Sequence, residues 1–138
     1  MAQLHDLTAL EQGAALRRGE FTSVELTEHY LRRSQSLGPQ VGAFVTLTPE
    51  LALDQARAAD TARQLDPDPL GPLHGVVVPV KDLNNLAGIP ITYGSAIPST
   101  VAFFDDFVVV LMRRAGLVCT GKTNTPEFGL PCYTENAV

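Results

Sequence analysis

Two apolar runs on either side of an apolar helical segment constrain the fold of this chain more than any other feature. Val76–Val80 and Leu117–Thr120 are continuous rather than alternating, which is typical of strands buried on both faces of a sheet. Between them, Asp105 and Asp106 precede Phe107–Met112 and are predicted to cap a helix there. A strand, a helix and a second strand predict a right-handed βαβ unit with parallel strands.

The chain contains only two lysines, and both follow these predicted strands. Lys81 comes directly after the first strand, and Lys122 stands just past the second. Because ligands of open α/β sheets bind beyond the carboxyl ends of the strands, both lysines are predicted to lie on one such edge. Spacing alone leaves two interpretations of Lys81. It is either a partly buried base with a lowered pKa, or a strand-end lysine paired with a carboxylate and pointing at water.

The first part of the chain is predicted to be helical, with one short strand. Thr22 and Glu25 match a capping box that opens a helix, which is predicted to end at Gly38–Pro39. Ala43–Leu47 is a short β-type run. Thr48 is predicted to cap a third, alanine-rich helix, whose small residues favour close packing against another element.

Charge and motifs exclude several classes of function. A net charge of −5 argues against a general nucleic-acid binder, and no apolar run approaches the ~20 residues of a membrane span. Cys119 and Cys132 lie in no metal-binding pattern and are predicted to be reduced thiols, which favours a cytoplasmic protein. The first residues have no basic start and no apolar core, so no signal peptide is expected. Gly116–Thr123 matches a phosphate loop literally, but its middle residues form the predicted strand, so nucleotide binding is not expected.

The composition changes at a proline-rich connector near residue 70. We therefore divide the chain into a helical region, residues 1–70, and the beginning of an α/β core, residues 71–138. Two or three strands cannot form a doubly covered sheet, so this core is expected to be incomplete and the chain to be the front part of a larger domain. Apolar surface is then expected around Val76–Val80 and Phe107–Met112, and such surface favours association, including formation of a homo-oligomer.

Four ordered segments together resemble the amidase signature family, namely Gly71–Leu83, Ala87–Ser95, Asp105–Gly116 and Gly121–Gly129. The resemblance implies an α/β fold in which N-terminal helices precede the first βαβ part of a mixed, mostly parallel sheet, here truncated. It also implies hydrolysis of a carbon–nitrogen bond in a small-molecule amide or lactam. It implies no cofactor and no metal. That the chain has no nucleic-acid or membrane partner is expected from its negative charge and its short apolar runs.

The family uses a triad of a nucleophilic serine, a second serine on a cis peptide bond, and a lysine. The lysine of the first family segment corresponds to Lys81, which is the catalytic residue that the resemblance assigns to this chain. Both serines lie in a glycine- and serine-rich loop that the resemblance places after Val138, and Ser95 and Ser99 are not substitutes. The chain by itself is therefore expected to be inactive.

Within the family, Thr123–Glu127 resembles bacterial general amidases and 6-aminohexanoate-cyclic-dimer hydrolases. The resemblance also places Lys122 and Asn124 near the site without a catalytic role. Two alternatives stay open. One is the A subunit of a tRNA-dependent amidotransferase, which would need partner subunits; the other is a non-catalytic interaction module.

Overall fold

A computed structural model of the chain describes residues 3–66, 68 and 70–135. The helices of these residues are α1 (Ala9–Arg18), α2 (Ser23–Val41), α3 (Pro49–Leu65) and α4 (Phe107–Arg114), with 3-10 turns at Leu4–Asp6 and Glu127–Gly129. The strands are β1 (Phe44–Leu47), β2 (Val77–Lys81), β3 (Pro90–Ile91), β4 (Thr100–Val101) and β5 (Val118–Thr123). The architecture is therefore mixed α/β, as predicted.

Strand β5 lies between β1 and β2 in a three-stranded mixed sheet. It is parallel to β2 and antiparallel to β1, so the parallel strands of the predicted βαβ unit are confirmed. Strand β2 occupies an edge of this sheet, and Pro79 falls where its register with β5 shifts, so both features allow a proline in the strand. The sequence predicts a loop over residues 82–104, but this segment contains the antiparallel β3–β4 pair.

Local sequence explains where α2 begins but not where it ends. Thr22 Oγ1 accepts the Glu25 N–H at 3.1 Å, and the Glu25 carboxylate accepts the Thr22 N–H at 2.7 Å, so the capping box is confirmed. The predicted end at Gly38–Pro39 is wrong, since Pro39 lies inside the last turn of the helix. The helix ends where Gly42 adopts a left-handed conformation with φ of 57° and donates its N–H to the Gly38 carbonyl.

Thr48 precedes α3 as predicted, but its side chain does not cap the helix. Its backbone N–H donates to the Thr120 carbonyl at 3.0 Å, which ties Thr48 to β5. This contact holds Thr48 at φ −126° and ψ 65°, outside the extended conformation of the N-caps of α1 and α2. Its buried hydroxyl has no hydrogen-bond partner among the described residues.

The two aspartates before α4 connect the helix to the preceding loop. Asp106 occupies the N-cap position, but its carboxylate accepts the N–H of Asn85 at 2.7 Å instead of an N–H of the helix. Asp105 accepts the N–H of Ala87 at 2.8 Å and pairs with Arg113. The prediction that these carboxylates cap α4 is therefore wrong, because both are used to fix the loop against the helix.

The core lies between the sheet and helices α2, α3 and α4. Ala52 and Ala56 of α3 pack against Val118 of β5, which confirms the close packing predicted for the alanine-rich helix. The prediction of exposed apolar surface around Val76–Val80 is wrong. Val76 and Val80 are 3% and 2% exposed, and the residues between them are half-buried, because α2 and the segment before α4 cover them.

Helix α4 exposes half of its apolar side chains, so the apolar surface predicted there is confirmed. Phe107 is 74% exposed and Leu111 is 46% exposed, whereas Val109 faces the core. No helix of the described ranges is both long enough and apolar enough to cross a bilayer. Cys119 is buried, Cys132 is exposed, and neither forms a disulfide.

Candidate active site

Lys81 and Lys122 lie at the same end of neighbouring parallel strands, as the sequence predicts. In the register of the two strands, Val80 is paired with Lys122 and Lys81 with Thr123. Lys122 is inside β5 rather than just past it, because β1 and β2 pair with this strand as far as Thr123. The strand thus continues beyond the apolar run that predicts its end.

A close backbone approach lets β5 continue through Gly121. This residue has φ of 146°, a conformation that L side chains rarely adopt. A Cβ atom there would lie 2.2 Å from the carbonyl oxygen of Thr46 in β1. Glycine is therefore required beside Lys122, and it brings β1 against the end of the strand that carries this lysine.

The Lys81 side chain is exposed at the end of β2. Among residues 3–66, 68 and 70–135, none forms a hydrogen bond or an ion pair with its ammonium group. Of the interpretation of Lys81 as a strand-end lysine, the exposure to water is thus seen, whereas a carboxylate partner is absent from this part of the chain. The partial burial that the other interpretation required is also not provided by the described residues.

The carboxylate next to Lys81 pairs with the other lysine. Asp82 Oδ1 lies 2.5 Å from Lys122 Nζ, and both side chains are 0% exposed. The second oxygen, Asp82 Oδ2, accepts the backbone N–H of Thr92 at 2.9 Å and the Thr92 hydroxyl at 2.6 Å. Sequence reasoning missed Asp82. The signal was an acidic residue directly after one strand, with a lysine at the end of the adjacent parallel strand.

Two turns next to this pair are locked together. Phe128 donates its N–H to the Tyr93 carbonyl at 2.7 Å, and the two rings stack with centroids 6.3 Å apart. Both residues have positive φ, 55° at Tyr93 and 51° at Phe128, which costs of order 1 kcal/mol or more for each residue. Ser95 is buried and donates its hydroxyl to Glu127 at 2.7 Å, so it serves the turn and is not a free nucleophile.

A cavity of about 240 Å³ lies at the opposite end of the sheet, and neither Lys81 nor Lys122 lines it. His74 lines it together with Gln55 and Arg113, near the start of β5. The His74 Nε2 atom lies 3.0 Å from the Ala59 carbonyl oxygen, and its ring packs against Gly116. His74 thus fixes the chain before β2 and does not face Lys81.

Comparisons with known proteins agree on one family. A family model described as Amidase matches residues 25–138. Among curated proteins, the A subunit of the glutamyl-tRNA(Gln) amidotransferase of Chloroflexus aurantiacus is 41% identical over 140 residues, which cover 99% of this chain and 28% of the relative. The protein of the same name from Salinispora arenicola is 42% identical, with 98% and 28% covered. The chain thus spans about 28% of the length of these relatives.

Solved structures give the same result. The native peptide amidase of Stenotrophomonas maltophilia matches with a TM-score of 0.81 and 33% identity, covering 89% of this chain and 26% of that protein. A protein from a vestigial complex connected with the origins of an s-triazine catabolic enzyme matches with a TM-score of 0.83 and 28% identity, covering 88% and 27%. The predicted similarity to 6-aminohexanoate-cyclic-dimer hydrolases stays a prediction.

Proposed function

Because the chain belongs to the amidase signature family, we propose that it is the amino-terminal part of an enzyme that hydrolyses amide carbon–nitrogen bonds. In this proposal residues 1–70 form a mainly helical region that also supplies β1 to the sheet, and residues 71–138 begin the α/β core. The substrate is a small-molecule amide, and Lys81 is the catalytic base. The observation that carries this proposal is the position of Lys81, at the carboxyl end of a parallel strand with an exposed ammonium group and no acidic partner among the described residues.

The chemistry explains why an unpaired lysine is needed. A serine hydroxyl is a weak nucleophile at neutral pH and needs an adjacent base. In the family mechanism the attacking serine loses its proton to the second serine, which passes its own proton to the neutral lysine, here Lys81 Nζ. The serine oxygen bonds to the amide carbon, the amine leaves with a proton, and water then hydrolyses the acyl-enzyme. An acidic partner would keep Lys81 charged and block this role, whereas burial by the remainder of the enzyme would lower its pKa.

Substitution of Lys81 in the full-length gene product tests this proposal. Lys81→Ala should lower kcat by roughly 10²–10⁴-fold, the range of general acid–base catalysis. Lys81→Arg should not restore activity, because a guanidinium stays protonated and cannot accept a proton. The measurement is kcat/KM against pH on a panel of small amides, in which only the wild type should show a rise as Lys81 deprotonates.

Arg57→Ala is the matched control, because it removes an exposed cation on α3 and should leave kcat/KM unchanged. Circular dichroism checks that each variant is folded. Near-wild-type kcat/KM for Lys81→Arg would show that Lys81 acts as a fixed positive charge, and the assignment as a base would be wrong.

A second candidate is the A subunit of a tRNA-dependent amidotransferase, which acts with partner subunits. Its support is the 41–42% identity to curated relatives of that name. The two candidates are separated by assaying the full-length protein alone on small amides, and then with amidotransferase partner subunits, glutamine and glutamyl-tRNA(Gln). Hydrolysis by the protein alone favours the amidase. Ammonia transfer only with the added subunits favours the amidotransferase, and no turnover in either assay favours a non-catalytic interaction module.

A further inference from the structure

The carboxylate beside Lys81 is fully engaged by other groups. Asp82 receives three hydrogen bonds, from the Lys122 ammonium, the Thr92 N–H and the Thr92 hydroxyl. Its own backbone N–H donates to the Thr123 carbonyl at 3.1 Å, which continues the β2–β5 pairing by one residue. Asp82 is therefore held in one position by β5 on one side and by the turn at Thr92 on the other.

Lys81 and Asp82 have opposite environments although they are neighbours in the chain. Lys81 is exposed, and Asp82 is 0% exposed. Successive side chains along a strand point to opposite faces, so the Asp82 carboxylate leaves the sheet on the face opposite to Lys81. Val80, one pleat before Asp82, packs on Leu86 and Val109, which identifies the face of Asp82 as the one covered by α4.

Burial of this ion pair is weak evidence that it serves stability. Removing two charges from water costs several kcal/mol per ion, and apolar residues of similar volume are often as stable as a buried pair or more so. The better supported role of such pairs is to select one arrangement of groups. This pair matters most for Lys81. If Asp82 were not bound by Lys122, it would be the carboxylate nearest to Lys81 along the chain.

We propose that the buried Asp82–Lys122 pair is a positioning device for Lys81, which holds the adjacent carboxylate on the opposite face and neutralises its charge. The inference rests on the proposed function, because it explains how Lys81 stays available as a base. Lys122 and Asp82 are thus positioning residues and do not touch the substrate.

The charged groups near this end of the strands are few. On β5 the charged residue is Lys122 itself. In the adjoining turns, the carboxylate of Glu127 accepts the Ser95 hydroxyl. On the covered face, Arg113 of α4 pairs with Asp105. Helix α2 packs on Val77, at the other end of β2.

Removing Lys122 should therefore change the pKa of Lys81 in a defined direction. In Lys122→Met the charge of Asp82 is no longer balanced, and a negative charge close to Lys81 favours its protonated form. The acetylation midpoint of Lys81 should rise by roughly half a pH unit or more, because the unbalanced charge is on the adjacent residue and solvent screens it only in part. Adding Asp82→Asn removes that charge, so the double variant should return to the wild-type midpoint.

Trace acetylation of the full-length protein measures this without any assay of activity. Limiting labelled acetic anhydride is added at each pH from 6 to 11, and peptide mass spectrometry quantifies acetylation of the peptide that contains Lys81. Arg57→Met is the matched control, because it breaks the exposed pair with Asp54 and should leave the Lys81 midpoint unchanged. Lys122→Gln serves if Lys122→Met does not fold, since it keeps a donor for Asp82 while removing the charge.

We expect the Lys81 midpoint to rise in Lys122→Met or Lys122→Gln, and to return to the wild-type value when Asp82→Asn is added. An unchanged midpoint in the folded single variants, or a double variant as shifted as the single one, would overturn the proposal. A purely structural role would lower kcat without this ordered shift. If the midpoints move as expected but the wild type hydrolyses no amide, the proposed function fails and the positioning role stands. If amide hydrolysis is normal and the Lys81 midpoints do not move, the positioning role fails and the proposed function stands.

Discussion

His5 and His29 form a pair in which at least one ring must stay uncharged. His5 Nδ1 lies 2.9 Å from His29 Nε2, and the rings stack with centroids 5.1 Å apart. One nitrogen must donate and the other must accept, so two protonated rings would leave two donors facing each other. Burial lowers the pKa of His29 below its ordinary value of 6.5, and the charges of His5, Arg33 and Arg32 lower it further.

This pair predicts a loss of stability in weak acid. The pKa of His29 is lower in the folded state than in the unfolded chain, so the unfolded chain binds the proton more readily. The stabilisation is present above about pH 6.5 and is lost as the pH falls through the folded pKa of His29. Urea unfolding at several pH values between 7.5 and 5 should show the free energy of unfolding falling more steeply for the wild type than for His29→Gln.

The control for this experiment is His74→Gln, which removes a histidine whose ring contacts the Ala59 carbonyl and not the His5–His29 pair. It should keep the pH slope of the wild type, because His29 is still present. If His29→Gln and the wild type lose the same free energy of unfolding between pH 7.5 and 5, the His5–His29 contact does not control this titration.

At the scale of the element, two threonines at helix starts show the limit of local sequence. Thr22 behaves as its capping-box pattern predicts because both partners lie within four residues of each other. Thr48 stands at an equivalent position, but its backbone is fixed by Thr120 of β5, more than seventy residues later in the chain. A tertiary contact thus overrides the local preference, and no local pattern predicts it.

Replacing each threonine by the isosteric valine separates the two cases. Thr22→Val should lower the free energy of unfolding by about 1 kcal/mol, because it removes the acceptor for the Glu25 N–H. Thr48→Val should be neutral or slightly stabilising, because it replaces a buried hydroxyl that has no partner among the described residues. Chemical denaturation of both variants and the wild type gives the comparison. Equal losses in the two variants would contradict it.

The positions of β2 and β5 and their parallel pairing could be predicted, because two continuous apolar runs joined by a helix are compatible with few folds other than a βαβ unit. The placement of β1 on the other side of β5 could not, since an antiparallel pair of such distant segments leaves no local pattern. The candidate site shows the same limit. Lys81 could be assigned from the sequence segment in which it lies. The Asp82–Lys122 pair could not, because it depends on the register of two strands and on the turn at Thr92.

At the scale of the whole molecule, one surface around the start of α4 exposes several large apolar side chains. Phe103, Phe104 and Phe107 are exposed at the start of α4, and Val108 and Leu111 continue this surface along the helix. Exposed apolar patches of this kind mark surfaces that are covered by other protein. In our proposal the remainder of the enzyme covers this one.

The 138-residue chain produced by itself should therefore associate as its concentration rises. Phe107→Ser with Leu111→Ser should shift the chain toward monomer, because it reduces the apolar area available for contact. Light scattering across a concentration series measures this. Leu10→Ser, at an exposed position on α1, is the control and should leave association unchanged. A wild-type chain that stays monomeric at every concentration would contradict the expectation.

The central position of β5 also determines when the sheet can form during synthesis. β1 and β2 are not neighbours, and each pairs with β5, which is the last of the three to be made. A ribosome that has released β1 and β2 has therefore exposed two strands that cannot pair with each other in the native order. Both must wait, unpaired, until residues 118–123 leave the exit tunnel. Helices α1–α3 can assemble earlier, so they are the elements available to shield the waiting strands from aggregation.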